Sequence, residues 1–142
     1  MTFYDKQYYF ITSFFLQTLY NYWDKVGDLI SKFFEINLPE HQIYFYTVLQ
    51  YFPENEKDEY YRWFEDFLNA RYKELNNERI SVVHYQGIES KIHQIYMEGN
   101  RDESKMNELQ NWKVSLLDVF LIDFQDTIKG FEMALKLIES KK

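Results

Sequence analysis

The scarcity of chain breakers constrains the fold of this chain more than any other feature. Its 142 residues include only four Gly and two Pro. An all-β domain needs many turns, and those turns would require more of both residues. Few breakers imply few turns and long elements. The sequence therefore predicts an all-α domain without a sheet.

The apolar pattern divides the chain into five helical segments. Apolar residues recur at intervals of three and four, which is the stripe of an amphipathic helix. Short connections between long helices favour antiparallel neighbours. We therefore expect one domain over residues 1–142, an up-and-down bundle of four to five helices. The predicted segments are residues 4–34, 40–52, 56–76, 78–97 and 103–139.

Three details of this pattern can be tested against the structure. The second segment is rich in aromatic residues, which would also suit a strand. Asn76 and Asn77 indicate a break between the third and fourth segments, with Asn77 as a plausible N-cap of the fourth. On the last segment, the predicted apolar stripe consists of Met106, Leu109, Leu116 or Leu117, Phe120, Phe124, Ile128, Phe131, Leu135 and Ile138.

Hydropathy and cysteine content bear on location. No run approaches the ~18 uninterrupted apolar residues of a membrane-spanning helix. The N-terminus has no basic region before an apolar stretch, so no signal peptide is visible. The chain has no Cys, which excludes disulfides and thiol chemistry and fits a reducing compartment. We expect a cytoplasmic protein without a membrane partner.

Charge and aromatic content leave the partners open. The net charge is −7, so the chain lacks the broad basic footprint of a nucleic-acid-binding protein, although a local basic cleft across a dimer is compatible with it. Aromatic residues make up 20% of the chain. They could stack on bases or form a dimer face. They could also be ordinary core residues in a protein from an AT-rich genome.

Several kinds of chemistry lack their residues. There is no Glu-x-x-His motif, and His84 and His93 would lie about 180° apart around a helix, so they cannot share a metal ion unless the helix breaks. No Gly-x-Ser-x-Gly elbow and no Gly-rich phosphate loop occurs. We therefore predict no metal and no cofactor.

One motif, an Arg79-x4-His84 pair, carries plausible chemistry. Cleavage of RNA by its own 2′-hydroxyl needs a base, an acid and positive charge on the phosphorane. Histidine transfers protons near neutral pH, and arginine grips phosphate oxygens bidentately. On a helix the two Cα atoms lie ~7.5 Å apart along the axis and about 140° apart around it, and the long Arg79 side chain can bend toward a shared cleft. Asn76 and Asn77 either support the motif or cap the helix.

The same residues have a purely structural interpretation. Arg79 could be a solvated charge paired with Glu74 or Glu78. His84 could be a partly buried helix residue with a backbone partner.

The motif resembles the signature of the HEPN superfamily (higher eukaryotes and prokaryotes nucleotide-binding), in which an Arg precedes a His by four to six residues. The stretch Tyr22-Trp23-Asp24-Lys25-Val26-Gly27-Asp28 is also similar to small bacterial members. This resemblance implies a small all-α bundle. It also implies a metal-independent ribonuclease of the kind found as toxins, as antiphage effectors and beside nucleotidyltransferase antitoxins.

The resemblance has two departures at the motif. Many members have a polar residue after the Arg, whereas this chain has Ile80. Some members carry a modifiable Tyr two residues after the His, whereas here Tyr85 follows His84 directly and Gln86 takes the later position. We count Tyr85 among the supporting residues.

Our leading hypothesis is a homodimeric endoribonuclease that acts on RNA through Arg79 and His84. Because one motif supplies one His and one Arg, a two-fold dimer would bring two motifs together and complete the set. A nucleotidyltransferase-type antitoxin is a further candidate partner. The alternative hypothesis is a non-catalytic helical interaction module, or a degenerate HEPN domain.

Overall fold

The computed structural model describes residues 2–80, 88–99 and 103–141, and these residues form an all-α structure without a strand. Two single 3₁₀ turns, Glu40–Gln42 and Glu54–Glu56, flank the short second helix, and a π-helical turn, Leu68–Tyr72, joins the third helix to the fourth. The predicted all-α bundle is confirmed. Its helices are α1 (Phe3–Phe33), α2 (Phe45–Gln50), α3 (Glu59–Phe67), α4 (Lys73–Ile80), α5 (Ile88–Gly99) and α6 (Glu103–Glu139).

The first and last helices run parallel in a constant register. The Tyr8 hydroxyl donates to the Lys113 carbonyl at 2.9 Å, and the Tyr22 hydroxyl donates to the Thr127 carbonyl at 2.6 Å. The continuous rod of α3, the π turn and α4 runs the other way. At one end of this rod Asp58 accepts a hydrogen bond from Ser140, the residue that follows α6. The three rods therefore alternate in direction, as an up-and-down bundle requires.

The core is aromatic and is centred on Trp23 of α1. The indole ring packs on Phe45 of α2, with centroids 5.2 Å apart, and on Phe67 of α3 at 4.2 Å. Trp23 and Phe45 are both almost fully buried. Offset and tilted ring pairs of this kind stabilise a core beyond the area they bury. Much of the aromatic surplus in the sequence is thus core.

Asn76 and Asn77 do not interrupt the helix, so the predicted break and the N-cap at Asn77 were wrong. The helix continues through both residues to Ile80. Tyr72 and Leu75 are buried against the bundle and hold this turn in place. Tertiary packing commonly overrides the weak helix propensity of Asn. Arg79 consequently lies in the last turn of α4 rather than in the first turn of a new helix.

Part of the stripe predicted for the last segment is not core. Phe120 is buried, but Phe124, Ile128, Phe131 and Leu135 are between 43% and 59% exposed. The bounds of α6 match the predicted segment, whereas its buried face does not. The second segment was also partly wrong, because α2 covers only its last part.

Two negative findings apply to the residues that the structure describes. Among them, no helix combines the length and apolarity that crossing a bilayer demands. In the same ranges, no three His, Asp or Glu side chains converge as a metal site would require.

Candidate functional site

Arg79 is held against α1 by an aromatic ring. Its guanidinium carbon lies 3.9 Å from the centroid of the Tyr20 ring, within the range of a cation–π contact. The Nε atom of Arg79 is buried and has no hydrogen-bond partner among the described residues. The side chain is therefore positioned by stacking, and its hydrogen-bonding capacity is not used up.

Asp24 lies one helical turn beyond Tyr20 and belongs to the same surroundings. Its carboxylate accepts a hydrogen bond from the backbone N–H of Phe45 at 3.2 Å. Burial raises the pKa of Asp24, and it outweighs the Phe45 hydrogen bond and the positive charge of Arg79, which both act to lower it. A half-buried carboxyl with a raised pKa lies beside a fixed guanidinium.

Gly27 explains why α2 can approach this carboxylate. A Cβ at this position would lie 2.8 Å from the Cα of Phe45, so only glycine lets the two backbones come so close. Phe45 is the first residue of α2, and its N–H is one of the unpaired donors at a helix start. The close contact brings that donor within reach of Asp24.

A cavity of about 530 Å³ opens next to Tyr20, the residue on which Arg79 stacks, although Arg79 itself is not part of its wall. Tyr20, which carries Arg79, is part of its wall, and so is Asn76, whose buried Oδ1 has no partner among the described residues. Asn76 precedes Arg79 by three residues, which places both on one side of α4. The cavity is lined by Tyr20, Tyr44, Tyr46, Thr47, Leu68, Asn69, Tyr72, Lys73 and Asn76.

Tyr72 forms the buried floor between α1 and α4. Its ring stacks on Tyr20 with centroids 5.9 Å apart. Burial, followed by its interaction with Tyr20, raises the pKa of Tyr72 well above its usual range. Its phenol stays protonated at physiological pH and can donate a hydrogen bond.

The π turn shapes the same wall. Leu68, Asn69 and Tyr72 all belong to it. Arg71 in this turn is tied to α6 through Asp126 at 3.3 Å and through buried Asp123, and it also pairs with Glu74 at 2.9 Å. Single π turns within helices often occur at functional sites.

Of the predicted site residues, Arg79 and Asn76 are brought together beside the cavity. Asn77 is exposed and lies elsewhere on α4. Glu74 pairs with Arg71, not with Arg79 as the structural interpretation proposed. His84 and Tyr85 lie outside the described residues.

Sequence reasoning missed Tyr20, Asp24 and Tyr72. The pattern of α1 offered one signal, because Tyr20 and Asp24 are four residues apart and so share one face of the helix. Asp24 also lies inside the stretch that resembles small bacterial HEPN domains. Their meeting with Arg79 depends on long-range packing, which spacing alone does not predict.

Comparison with known proteins identifies the class. The family model described as Cthe2314-like HEPN matches residues 2–141. The chain therefore belongs to the HEPN superfamily. No curated protein and no solved structure matches it significantly.

Proposed function

We propose that this protein is a metal-independent endoribonuclease in which Arg79 binds the scissile phosphate and His84 transfers a proton. The observation that carries the proposal is that Arg79 is held in place while one of its hydrogen-bond donors is unused. Its guanidinium is fixed by Tyr20, which also lines a cavity, while its Nε lacks a hydrogen-bond partner among the described residues. A guanidinium that is held in place and has an unused hydrogen-bond donor suits a phosphate ligand. Membership of the HEPN superfamily supports RNA as the source of that phosphate.

The reaction needs two proton transfers and charge stabilisation. A base takes the proton of the 2′-hydroxyl as its oxygen attacks phosphorus. The bond from phosphorus to the 5′ oxygen breaks, and an acid gives that oxygen a proton. The products are a 2′,3′-cyclic phosphate and a 5′-hydroxyl. Arg79 would stabilise the negative charge on the phosphorane oxygens throughout.

The second proton-transfer group has a candidate within the same chain. In the hypothesis drawn from the sequence, this second group came from the Arg-x4-His motif of a second copy of the chain. Asp24 offers another source, because it lies close enough to Arg79 for their charges to interact and because burial raises its pKa toward the range useful for proton transfer. We propose Asp24 for this role, with His84 as its partner.

The cavity supports binding of a nucleotide next to the cleaved bond. Four of its lining residues are tyrosines, and aromatic rings bind bases by stacking without strict sequence preference. Lys73 adds a cation to the same wall, although the chain as a whole carries a net charge of −7. Single-stranded RNA would suit this arrangement, since its bases are free to stack. A role as a toxin or antiphage effector, restrained by a nucleotidyltransferase-type antitoxin, follows as part of the proposal.

One observation favours the alternative, a non-catalytic interaction module. The charge of Arg79 is already partly balanced by Asp24 and its ring contact with Tyr20 is made. In that case, Arg79 would only fasten α4 to α1.

The test is an RNA cleavage assay in EDTA with matched variants. We expect wild type to cleave single-stranded RNA without metal. His84→Ala should lose ~10²–10⁴-fold in rate, because proton transfer contributes about this much. Arg79→Lys should also fail, since a point charge cannot replace the planar fork. The controls are His41→Ala and Arg62→Lys, which alter exposed residues and should cleave like wild type.

Two results would contradict the proposal. One is a wild-type protein that cleaves no RNA under any condition, which leaves the interaction module. The other is a His84→Ala protein as fast as wild type. Asp24→Asn tests whether the second proton-transfer group is Asp24 of the same chain or belongs to the motif of a second copy. The variant should lower the cleavage rate only if the Asp24 carboxyl takes part.

A further inference from the structure

The outer face of α6 carries a continuous apolar seam. Seven positions at alternating spacings of three and four follow one another along the helix, and each is between 43% and 60% exposed. Over this length the seam spans roughly 30 Å. A surface of this kind is unusual on a monomer. The seam consists of Val114, Leu117, Leu121, Phe124, Ile128, Phe131 and Leu135.

The face that α6 turns toward its own bundle is more mixed. Asp123, Thr127, Gly130 and Ala134 are buried there, together with the larger Phe120, Met133 and Leu137. Along its middle turns the helix therefore buries mainly small and polar side chains, while a row of large apolar side chains stays exposed to water. The seam lacks a neighbour within the described chain.

We propose that the seam binds the same seam of a second copy of this chain. Alternating spacing of three and four is the pattern with which two helices interlock side chains as knobs into holes, and an identical seam supplies the matching partner. At roughly 100 Å² of exposed surface per side chain, the seam would remove about 700 Å² per chain from water, close to the ~800 Å² per partner of a standard interface.

Charge argues against a lipid surface as the occupant. Asp118 and Glu139 border the seam, and Glu132 is balanced there by ion pairs with Lys129 and Lys136, so the border has no basic excess. The chain as a whole carries a net charge of −7. Anionic membrane surfaces attract basic segments, not acidic ones. A second copy is acidic too, so its association should strengthen as salt screens the repulsion. The apolar seam provides the attraction.

The seam and the Arg79 site lie on different sides of the bundle, because α6 packs on one side of α1 and α4 packs on another. Tyr20 and Asp24 face α4, whereas Tyr8 and Tyr22 reach α6 from the other side. Pairing through α6 therefore leaves the cavity next to Tyr20 open. This inference rests on the homodimer of the sequence hypothesis but places its interface on α6, away from the Arg79 site. Its test requires no RNA and so can fail or succeed separately from the ribonuclease.

The experiment is sedimentation velocity on the full chain over a range of concentrations and salt. We expect wild type to be a dimer at tens of micromolar. The double variant Leu121→Glu with Ile128→Glu should be a monomer, with its dissociation constant raised at least 100-fold. Met97→Glu, which places the same charge at a 71% exposed position on α5, should dimerise like wild type.

A folded double variant is required, and circular dichroism checks it. If the glutamates unfold the chain, Leu121→Ser with Ile128→Ser replaces them and should also weaken the dimer. The inference is overturned by a wild type that stays monomeric, whether or not it then binds lipid vesicles. A folded double variant that dimerises as tightly as wild type would overturn it equally.

Discussion

The two faces of α6 show that a helix can be fixed to its own bundle in part by its small and polar residues. The inner face mixes these with the apolar Phe120, Met133 and Leu137. Specific fits hold it: Gly130 lies under the ring of Trp23, and the carbonyl of Thr127 receives the Tyr22 hydroxyl. The outer face is large and apolar and has no such fits among the described residues. The inner face therefore determines how α6 packs on its own bundle, and the outer face is the surface that α6 offers to a binding partner.

Gly130→Ala should have the largest effect on folding. In an ordinary helix this change stabilises by about 1 kcal/mol. Here the added methyl would overlap the Trp23 ring, which is fully packed by Phe45 and Phe67 and cannot move aside. We expect the free energy of unfolding to fall by about 3 kcal/mol, measured by urea denaturation. Gln125→Ala, at an exposed position on α6, is the control and should change stability by less than ~0.5 kcal/mol.

Retained wild-type stability in Gly130→Ala would contradict this description of the inner face. It would mean that α6 can shift on the bundle at little cost. The outer face would then have no fixed orientation, and the proposed seam would lose its structural basis.

Lys113→Met should have a smaller effect that depends on pH. Lys113 forms an ion pair with buried Asp5, which attaches α6 to the start of α1. Burial alone would raise the pKa of Asp5, but hydrogen bonds from Lys113 and Thr2 outweigh it and hold the pKa well below its usual range. A carboxyl with a lowered pKa stabilises the fold above its unfolded value near ~4, and this contribution is lost as the pH falls further.

We therefore expect Lys113→Met to lose about 2 kcal/mol of unfolding free energy at pH 7, because the carboxyl is left without its buried partner. The loss should shrink below about pH 4, where Asp5 in the variant becomes neutral. Lys129→Met removes an exposed pair with Glu132 and should change stability little at either pH. An equal loss at pH 7 and pH 3 would show that Lys113 acts through packing and not through its charge.

The sequence predicted the fold class and the long helices better than it predicted which face of each helix is buried. The bounds of α1 and α6 follow from uninterrupted spacing and from the few Gly and Pro residues. The burial of Asp123 and Thr127 could not be predicted, because both are polar and their burial depends on partners on other helices, Arg71 and Tyr22. Phe124 and Phe131 were assigned to the core because a single sequence does not distinguish a core from an interface between chains.

The candidate site was predictable only in part. Arg79 and Asn76 could be named from the motif and its neighbours, since both lie within one turn of α4. Tyr20 and Asp24 could not be paired with them, because more than fifty positions in the sequence separate them from Asn76 and Arg79. The close approach that brings Asp24 to Phe45 depends on Gly27, and a single glycine within a helical pattern does not by itself indicate such a contact.

The most direct test of the account uses the absence of cysteine from the chain. Single-cysteine variants Leu121→Cys, Phe124→Cys and Ile128→Cys would place one thiol at a time on the seam, and Met97→Cys and Tyr51→Cys would place it on other exposed surfaces. Under mild oxidation at micromolar concentration, the account predicts that at least one seam variant becomes a covalent dimer in most chains, whereas the two controls stay single chains. Seam variants that cross-link no more than Met97→Cys would contradict it.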